Sequence, residues 1–165
     1  MDPSVTCCFS GHRPSKLPWG MDEGDPRCLA LKDELAARLQ GIYEAGYRHF
    51  ICGMAAGCDL YFAEAVLALR EEHPELTLEA AIPCDGQNNS WPAALRARQE
   101  ALIAACDEVR FIKHRYTPDC MQKRNRYLVD RSGLLLACYD GTPGGTRNTI
   151  LYARHRGCRT ILIEL

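Results

Sequence analysis

Apolar residues along this chain recur at two different spacings, and the two spacings alternate from one end to the other. Leu31, Leu35, Leu39 and Ile42 lie three or four residues apart, which predicts the buried face of a helix. Residues 134–138 instead form a continuous apolar run. Such a run is typical of a central strand that is buried on both faces of a sheet.

The same patterns predict six strands separated by five helices. The predicted strands are residues 5–10, 49–52, 76–82, 109–112, 134–138 and 160–163, and the predicted helices are residues 31–42, 59–72, 92–106, 119–131 and 146–156. This alternation predicts an α/β fold, a three-layer sandwich with a mostly parallel central sheet and helices on both faces. No repeat, linker or low-complexity tract divides the chain, so we expect one domain over residues 1–165.

Composition narrows the classes of function. The 165 residues include 20 basic and 21 acidic side chains, for a net charge of −1. This balance argues against broad electrostatic capture of nucleic acid and leaves only a local basic patch open. No N-terminal segment resembles a secretory signal, and the longest apolar run is too short to cross a bilayer. We therefore expect a cytoplasmic protein without a membrane partner.

Ten cysteines are many for a chain of this length. No export signal supports a disulfide framework, and no C-x-x-C or paired Cys/His spacing indicates a zinc site. Cys8, Cys52 and Cys138 lie inside apolar runs, where a free thiol behaves as a small apolar side chain. The sequence thus predicts reduced, structural cysteines and no metal site.

Glycine-rich and polar loops follow the predicted strands, at the edge where parallel sheets bind their ligands. After the first strand, SGHRP contains Gly11, which permits close backbone approach, and Arg13, whose guanidinium matches phosphate. His12 adds a titratable ring. The alternative is a surface turn with a solvated His and Arg.

The loop GMAAGCD follows the second strand and leads directly into a predicted helix. Gly53 and Gly57 would bring the backbone close to a phosphate or a sugar. Asp59 is placed to cap the helix by accepting hydrogen bonds from its first-turn amides. The alternative is a tight turn with an ordinary cap. The dinucleotide fingerprint G-x-G-x-x-G is absent.

The loop YDGTPGGT leads from the apolar strand into the last predicted helix. Asp140 follows the strand, and Gly144 and Gly145 precede Thr146 at the start of the helix. Amides bunched at a helix N-terminus bind anions, and the Thr146 hydroxyl can cap the helix or donate to phosphate. The loop predicts a phosphate site, with a tight turn as the alternative. The lysine of a P-loop is absent, which argues against an ATPase of that class.

The segment CMQKRNRYLVD places Arg124, Asn125 and Arg126 in succession on a predicted helix. Residues two apart on a helix point about 200° apart. Arg124 and Arg126 therefore cannot both face one ligand. A solvated charged face is the alternative for the whole segment.

Four motifs in the same order, SGHRP, GMAAGCDLYFAE, RNRYLVDRSGLLLACYDG and GGTRNTILYA, resemble the YpsA-like family. That family belongs to a superfamily of Rossmann-like domains with the Lonely Guy (LOG) nucleotide phosphoribohydrolases and the DNA-processing protein DprA. The resemblance implies a Rossmann-like fold, a nucleotide or an ADP-ribose-like ligand, and a homodimer. It supplies no established reaction.

The resemblance to LOG hydrolases is incomplete. In those enzymes a catalytic Arg precedes the central strand, and P-G-G-x-G-T-x-x-E supplies a catalytic Glu. Arg124 matches that Arg, and residues 143–146 resemble the glycine loop. The Glu position falls on Thr149, or on Leu151 without a gap. Neither residue can act as a carboxylate, and Glu64 or Asp140 would have to replace it.

DprA-like proteins carry a glycine-rich loop before G-x-D and a basic R-N-R stretch that helps to bind single-stranded DNA. Gly57 and Asp59 match the first element, and residues 124–126 match the second. A pI near 6.5 nevertheless predicts weak, salt-sensitive DNA binding.

The leading hypothesis is a cytosolic Rossmann-like protein that binds a nucleotide or nucleotide-derived molecule at its strand ends, with sensing as one role and the choice between binding and catalysis left open. The expected ligand-binding residues are Gly11, Arg13, Gly53, Gly57, Asp59, Arg124, Asn125, Asp140, Gly144, Gly145 and Thr146. No catalytic residue is assigned. The alternatives are hydrolysis of an N-glycosidic or phosphoribosyl bond and DprA-like binding of single-stranded DNA.

Overall fold

Strands and helices alternate along the computed structural model, which describes residues 1–165. The strands are β1 (Thr6–Ser10), β2 (His49–Cys52), β3 (Thr77–Ile82), β4 (Glu108–Phe111), β5 (Leu134–Tyr139) and β6 (Arg159–Glu164). The α-helices are α1 (Pro26–Glu44), α2 (Cys58–Glu72), α3 (Ala93–Ala104), α4 (Cys120–Asp130) and α5 (Gly145–His155). None of these helices has both the length and the apolar composition that crossing a membrane requires.

All six predicted strands and all five predicted helices are present, and most of their ends agree within two residues. The largest difference is at the start of α1, which begins at Pro26 rather than Leu31. Asp25 caps this helix because its carboxylate accepts a hydrogen bond from the Arg27 N–H at 2.8 Å. Pro26 suits the first turn, where a missing N–H costs nothing. The apolar spacing misses this turn because Cys28 is its only buried residue before Leu31.

All six strands run parallel, in the order β4-β3-β2-β1-β5-β6. The predicted sheet is thus confirmed, and it is entirely rather than mostly parallel. The strand order reverses between β1 and β5, because the chain builds outward from β1 and then returns to begin β5 on its other side. Such a reversal leaves a crevice at the carboxyl ends of the two strands.

Helices cover both faces of the sheet and enclose two apolar cores. α1, α2 and α3 enclose a cluster of 29 buried residues, and α4 and α5 enclose a cluster of 9 on the other face. β5 contributes to both: Leu134, Leu136 and Cys138 belong to the larger cluster, whereas Leu135 and Ala137 belong to the smaller. This confirms that β5 is buried on both faces. The fold is a three-layer, Rossmann-like α/β sandwich.

All ten cysteines are free thiols, and eight of them are buried. Burial raises the pKa of Cys8 to about 12, so that this thiol stays protonated and unreactive at neutral pH. Most of the buried thiols pack within the two cores as small apolar side chains.

The turn from β2 into α2 depends on Gly57. This residue has φ 89° and ψ −130°, a backbone conformation that glycine adopts far more readily than other residues. A Cβ atom at this position would lie 2.7 Å from the His12 carbonyl oxygen. The Cys58 N–H donates to the same oxygen at 3.1 Å. Gly57 therefore allows the loop after β1 to pack directly on the start of α2.

We expect Gly57→Ala to lower the free energy of unfolding by about 1–3 kcal/mol, since it strains both the backbone and the contact with His12. Urea and thermal unfolding measure the change. Gly41→Ala is the matched control, because Gly41 lies within α1 and an added Cβ would meet nothing within 4 Å. Alanine favours helix, so this control should gain up to about 1 kcal/mol. Equal stability of the two variants would contradict the role of Gly57.

Candidate functional site

A cavity of about 320 Å³ opens in the crevice between β1 and β5, and we refer to it as the switch-point cavity. The loops that follow these two strands form two of its walls, and side chains from α2 and α4 complete it. Its lining consists of Phe9, Ser10, Gly11, His12, Arg13, Ser15, Lys16, Ala55, Asp59, Arg124, Asn125, Leu128, Pro143, Gly144, Gly145 and Thr146.

The N-terminus of α5 faces the switch-point cavity. Gly144 caps the helix with φ 150°, so Thr146 lies inside the first turn and does not cap it. The N–H groups of Gly145, Thr146 and Arg147 have no acceptor within the protein. A Cβ on Gly144 would lie 2.9 Å from Lys16 Nζ. The glycine loop thus places unpaired donors at the positive end of a helix dipole, an arrangement that suits an anion.

Arg124 supplies a buried positive charge to this cavity. The residue is 4% exposed; its Nη1 donates to the Gly53 carbonyl at 2.6 Å and its Nε donates to Asn125 Oδ1 at 2.8 Å. Burial lowers the pKa of Arg124, and the nearby Asp59 opposes this shift without forming a salt bridge. A guanidinium stays charged in proteins. The cavity therefore holds a positive charge that no contacting carboxylate neutralises.

Gly53, one of the predicted ligand-binding residues, is not among the residues that line the cavity. A Cβ at this position would overlap the Arg124 guanidinium. The absence of a side chain at Gly53 makes room for Arg124, and its carbonyl oxygen anchors the guanidinium. Gly53 therefore acts on the cavity through Arg124.

Asp59 lines the cavity but does not cap α2, so the predicted cap is wrong. The positive φ of Gly57 starts the helix one residue earlier, at Cys58, and places Asp59 inside the first turn. Its carboxylate instead accepts a hydrogen bond from the Ala55 N–H at 3.1 Å. Burial raises the pKa of Asp59 to about 6, even though Arg124 opposes this. The carboxylate thus loses its charge just below neutral pH.

His12 lines the cavity, and Asp140, which does not line it, contacts the His12 ring. Asp140 Oδ1 is 2.8 Å from His12 Nε2, and the Asp140 backbone nitrogen is 3.1 Å from the same ring atom. Thr142 donates to this carboxylate oxygen through its hydroxyl and its N–H. These bonds, with a smaller contribution from His12, lower the pKa of Asp140 to about 2. Asp140 therefore stays charged and orients the imidazole.

Two exposed cations line the same cavity. Lys16 Nζ donates to a backbone carbonyl of the loop after β5 at 2.7 Å, and Arg13 contacts a methionine sulfur at 3.7 Å. Neither side chain pairs with a carboxylate. Together with Arg124 they place three cationic groups around the cavity, against the single carboxylate of Asp59. The resulting field favours an anionic ligand.

Eight of the eleven residues expected to bind ligand line the switch-point cavity. They are Gly11, Arg13, Asp59, Arg124, Asn125, Gly144, Gly145 and Thr146. Gly53, Gly57 and Asp140 do not line it, and each supports a residue that does. Lys16 and His12 also line the cavity, and neither is among the residues expected to bind ligand. The available signal for both was their position in the same loop as Arg13, directly after β1.

No carboxylate occupies the position of the LOG catalytic Glu. Thr149 is 2% exposed, and its hydroxyl donates to the Gly145 carbonyl at 2.9 Å. Glu64 pairs with Arg98 and does not line the cavity. Asp59 is the one carboxylate in the lining.

A second cavity of about 500 Å³, the α4–α5 groove, adjoins the first. Asn125 and Gly145 line both cavities, so the two are adjacent. Tyr152 forms part of the groove wall, and the Arg126 guanidinium lies 5.5 Å from the centre of its ring. Arg124 and Arg126 accordingly face different cavities.

A group of possible metal ligands lies outside both cavities. His49, Glu79 and Glu108 bring one donor atom each within 4.8 Å of one another. Both His49 nitrogens already have partners, Thr77 Oγ1 at 2.7 Å and the Glu79 carboxylate at 3.0 Å. No spacing along the sequence indicates this group, because its members come from three different strands.

Fold and cavity together define a class: a Rossmann-like α/β protein whose strand-order reversal carries a cationic cavity. The chain belongs to the YpsA family, because the YpsA family model, described as the YspA SLOG family, matches residues 7–156. It is 32% identical over 144 residues to the uncharacterised SPbeta prophage-derived protein YoqJ of Bacillus subtilis (strain 168), covering 79% of this chain and 84% of YoqJ. A UPF0398 protein of Bacillus pumilus is 28% identical over 139 residues, covering 83% and 74% of the two chains.

Two solved DprA structures share the fold. DprA from Streptococcus pneumoniae superposes with a TM-score of 0.64 at 15% identity, over 98% of this chain. DprA from Helicobacter pylori, whose mode of binding single-stranded DNA is described, superposes with a TM-score of 0.66 at 15% identity, over 99% of this chain. The present chain spans 51% and 66% of these two proteins. The likeness thus concerns the Rossmann-like fold.

We expect Asp59→Asn to stabilise the protein above pH 6 and to leave it unchanged near pH 4. The folded-state pKa of about 6 exceeds the ordinary 3.8, so the folded protein favours the protonated form. The wild type therefore loses stability as pH rises from about 4 to 6, by roughly 1–3 kcal/mol. The Asn side chain of the variant does not ionise, so the variant does not lose stability in this way. Unfolding in urea across this pH range measures the difference.

The control is Asp33→Asn, since Asp33 is exposed on α1 and distant in sequence from the cavity loops. This control measures what replacing a surface carboxylate with an amide does by itself. If Asp59→Asn is less stable than the wild type at pH 8, Asp59 does not lie in the electrostatic environment described here.

Proposed function

We propose that the switch-point cavity binds the phosphate of a nucleotide or nucleotide-derived molecule. The observation that carries this proposal is the buried guanidinium of Arg124, which has no carboxylate partner and lines the same cavity as the free N–H groups of α5. Burying an unneutralised charge is costly, and an anionic ligand offsets that cost. Arg13 and Lys16 add positive charge at exposed positions.

The α4–α5 groove accommodates the rest of the ligand in this proposal. It meets the phosphate cavity at Asn125 and Gly145, and Tyr152 offers an aromatic surface. The two cavities, about 320 and 500 Å³, lie within the range of about 300–1,000 Å³ typical of small-molecule sites. A phosphate site joined to a groove of mixed polarity favours a nucleotide over inorganic phosphate.

Binding and sensing, rather than turnover, fit the side chains present. The position of a LOG catalytic Glu holds a hydrogen-bonded threonine, Thr149. The ten free thiols support a reducing, cytoplasmic location.

We expect isothermal titration to detect binding of at least one of AMP, ADP-ribose, NAD or a cyclic nucleotide. Arg124→Gln should weaken that binding roughly 10- to 100-fold, since it removes a charge-assisted hydrogen bond to phosphate. Gly145→Asp should abolish it, because a carboxylate would occupy the anion site. Chromatography of the same mixtures for free base tests the hydrolytic alternative.

Two matched variants control this experiment. Gly145→Ala adds only a Cβ that meets no protein atom within 4 Å and carries no charge, so it should weaken binding far less than Gly145→Asp does. Arg147→Gln removes an exposed charge from α5 that does not line either cavity. Absence of binding across the panel, or unchanged binding by Arg124→Gln and Gly145→Asp, would refute the assignment.

Single-stranded DNA is the second candidate ligand, favoured by the likeness to DprA and by the adjacency of the two cavities. A backbone phosphate would occupy the switch-point cavity, and Arg126 would contact a neighbouring nucleotide along the groove.

If this candidate is correct, fluorescence anisotropy should show oligonucleotide binding that weakens steeply with salt. Arg126→Gln should reduce the affinity for the oligonucleotide by more than it reduces that for AMP. No binding of an oligonucleotide at low salt would exclude single-stranded DNA as the ligand.

A further inference from the structure

β4 is an edge strand that the rest of the chain leaves uncovered. It lies at the end of the sheet, and all four of its residues are exposed. Val109 and Phe111 are 44% and 42% exposed, high values for apolar residues of a sheet. An edge of this kind presents unpaired backbone N–H and C=O groups that can bond to another strand.

The charged side chains of β4 have few contacts within the chain: the Arg110 guanidinium lies 5.9 Å from the centre of the Tyr127 ring. Glu108 and Arg110 alternate with the two apolar residues and form no salt bridge. The donor oxygen of Glu108 lies within 4.8 Å of that of Glu79, a second carboxylate. Burial raises the pKa of Glu79, but hydrogen bonds from His49 and Tyr127 outweigh this and leave it lowered. Glu108 therefore faces a like charge and would gain from an added cation.

The sequence of β4 is complementary to itself in one antiparallel register. When two copies of one edge strand pair about a two-fold axis, residues whose backbone N–H and C=O groups point away from the sheet must lie opposite residues of the same kind. Only registers in which the two-fold axis passes through a residue position, rather than between two residues, satisfy this condition. Centring on Glu108 or on Arg110 places two like charges opposite each other. Centring on Val109 places Glu108 opposite Arg110 of the second copy, twice.

The same register buries the exposed apolar residues of β4. Val109 meets Val109 of the second copy, and Phe111 becomes its diagonal neighbour, within reach of an aromatic side chain. Directly opposite residues point to the same face of a sheet, so the charged pairs and the apolar contacts lie on opposite faces.

The other edge of the sheet lacks this complementarity. β6 carries its two charges at Arg159 and Glu164, an odd number of positions apart, so no allowed register places them opposite each other. Its apolar residues Ile161 and Leu162 are already half-buried, and Ile163 is 1% exposed. Pairing with a second strand would therefore stabilise β4 more than β6.

We propose that this protein forms a homodimer through antiparallel pairing of β4 with β4 of a second copy, which joins the two sheets into one of twelve strands. The switch-point cavities lie between β1 and β5, three strands away from this edge, and stay open in the dimer. The inference does not depend on which ligand the cavity binds.

Sedimentation equilibrium over a concentration series tests the proposal. The wild type should approach twice the protomer mass of 18.5 kDa. Glu108→Arg and Arg110→Glu should each weaken dimerisation at least tenfold, because each creates two pairs of like charges. The double variant Glu108→Arg/Arg110→Glu should restore the dimer. Circular dichroism checks that every variant is folded.

A mixture of the two single variants gives the most specific test of the register. One chain then carries two positive residues and the other carries two negative ones, so a heterodimer has both opposite-charge pairs. The mixture should reach dimer mass under conditions where each variant alone stays a protomer. Arg159→Glu, a matched reversal on β6, should leave the wild-type dimer intact.

Four results would overturn the β4 interface. A wild type at protomer mass throughout the series would remove the dimer. A dimer that survives both single reversals, or one that Arg159→Glu dissociates, would place the interface elsewhere. A mixture that stays at protomer mass, with both variants folded, would contradict the register centred on Val109.

Discussion

The reversal of strand order between β1 and β5 is the constraint on which the candidate site depends. Every strand runs in the same direction, so every loop at a carboxyl end emerges at the same edge of the sheet. Crossovers of one hand place the helices that follow β1 and β5 on opposite faces. The loops after these two strands therefore diverge, and no connection covers the space between them. The N-terminus of α5 opens into that space, and α4 contributes Arg124 from the side.

The electrostatic design of the cavity follows from that geometry. Arg124 is held by a backbone carbonyl, which accepts from Nη1, and by an amide oxygen, which accepts from Nε, and neither neutralises its charge. Asp59 is buried nearby but bonds to a loop amide rather than to the guanidinium. Three cations and the free amides of α5 thus oppose one carboxylate of raised pKa. Unneutralised charges and free hydrogen-bond donors are typical of functional sites, and this crevice contains both.

Much of the fold and part of the site could be predicted from the chain. The alternation of apolar and polar positions located every strand and helix, and for every element except β4 it reflects which residues are buried. The loops after β1 and β5 were identified because parallel sheets gather such loops at one edge. The cap at Asp59 was wrong, because the positive φ of Gly57 starts α2 one residue early. The local sequence does not specify this conformation of Gly57. The close contact with His12 requires it.

The sequence by itself determined the α/β order of elements, the buried central strand and the glycine loop that starts α5. These features depend on local backbone geometry and on side-chain periodicity, both of which are read over a few residues. Only the tertiary structure decided that Gly53 makes room for Arg124, 71 residues away, and that Asp140 orients His12 across 128 residues. Contacts over such separations arise when the sheet and its helices pack together, and no periodicity along the chain encodes them.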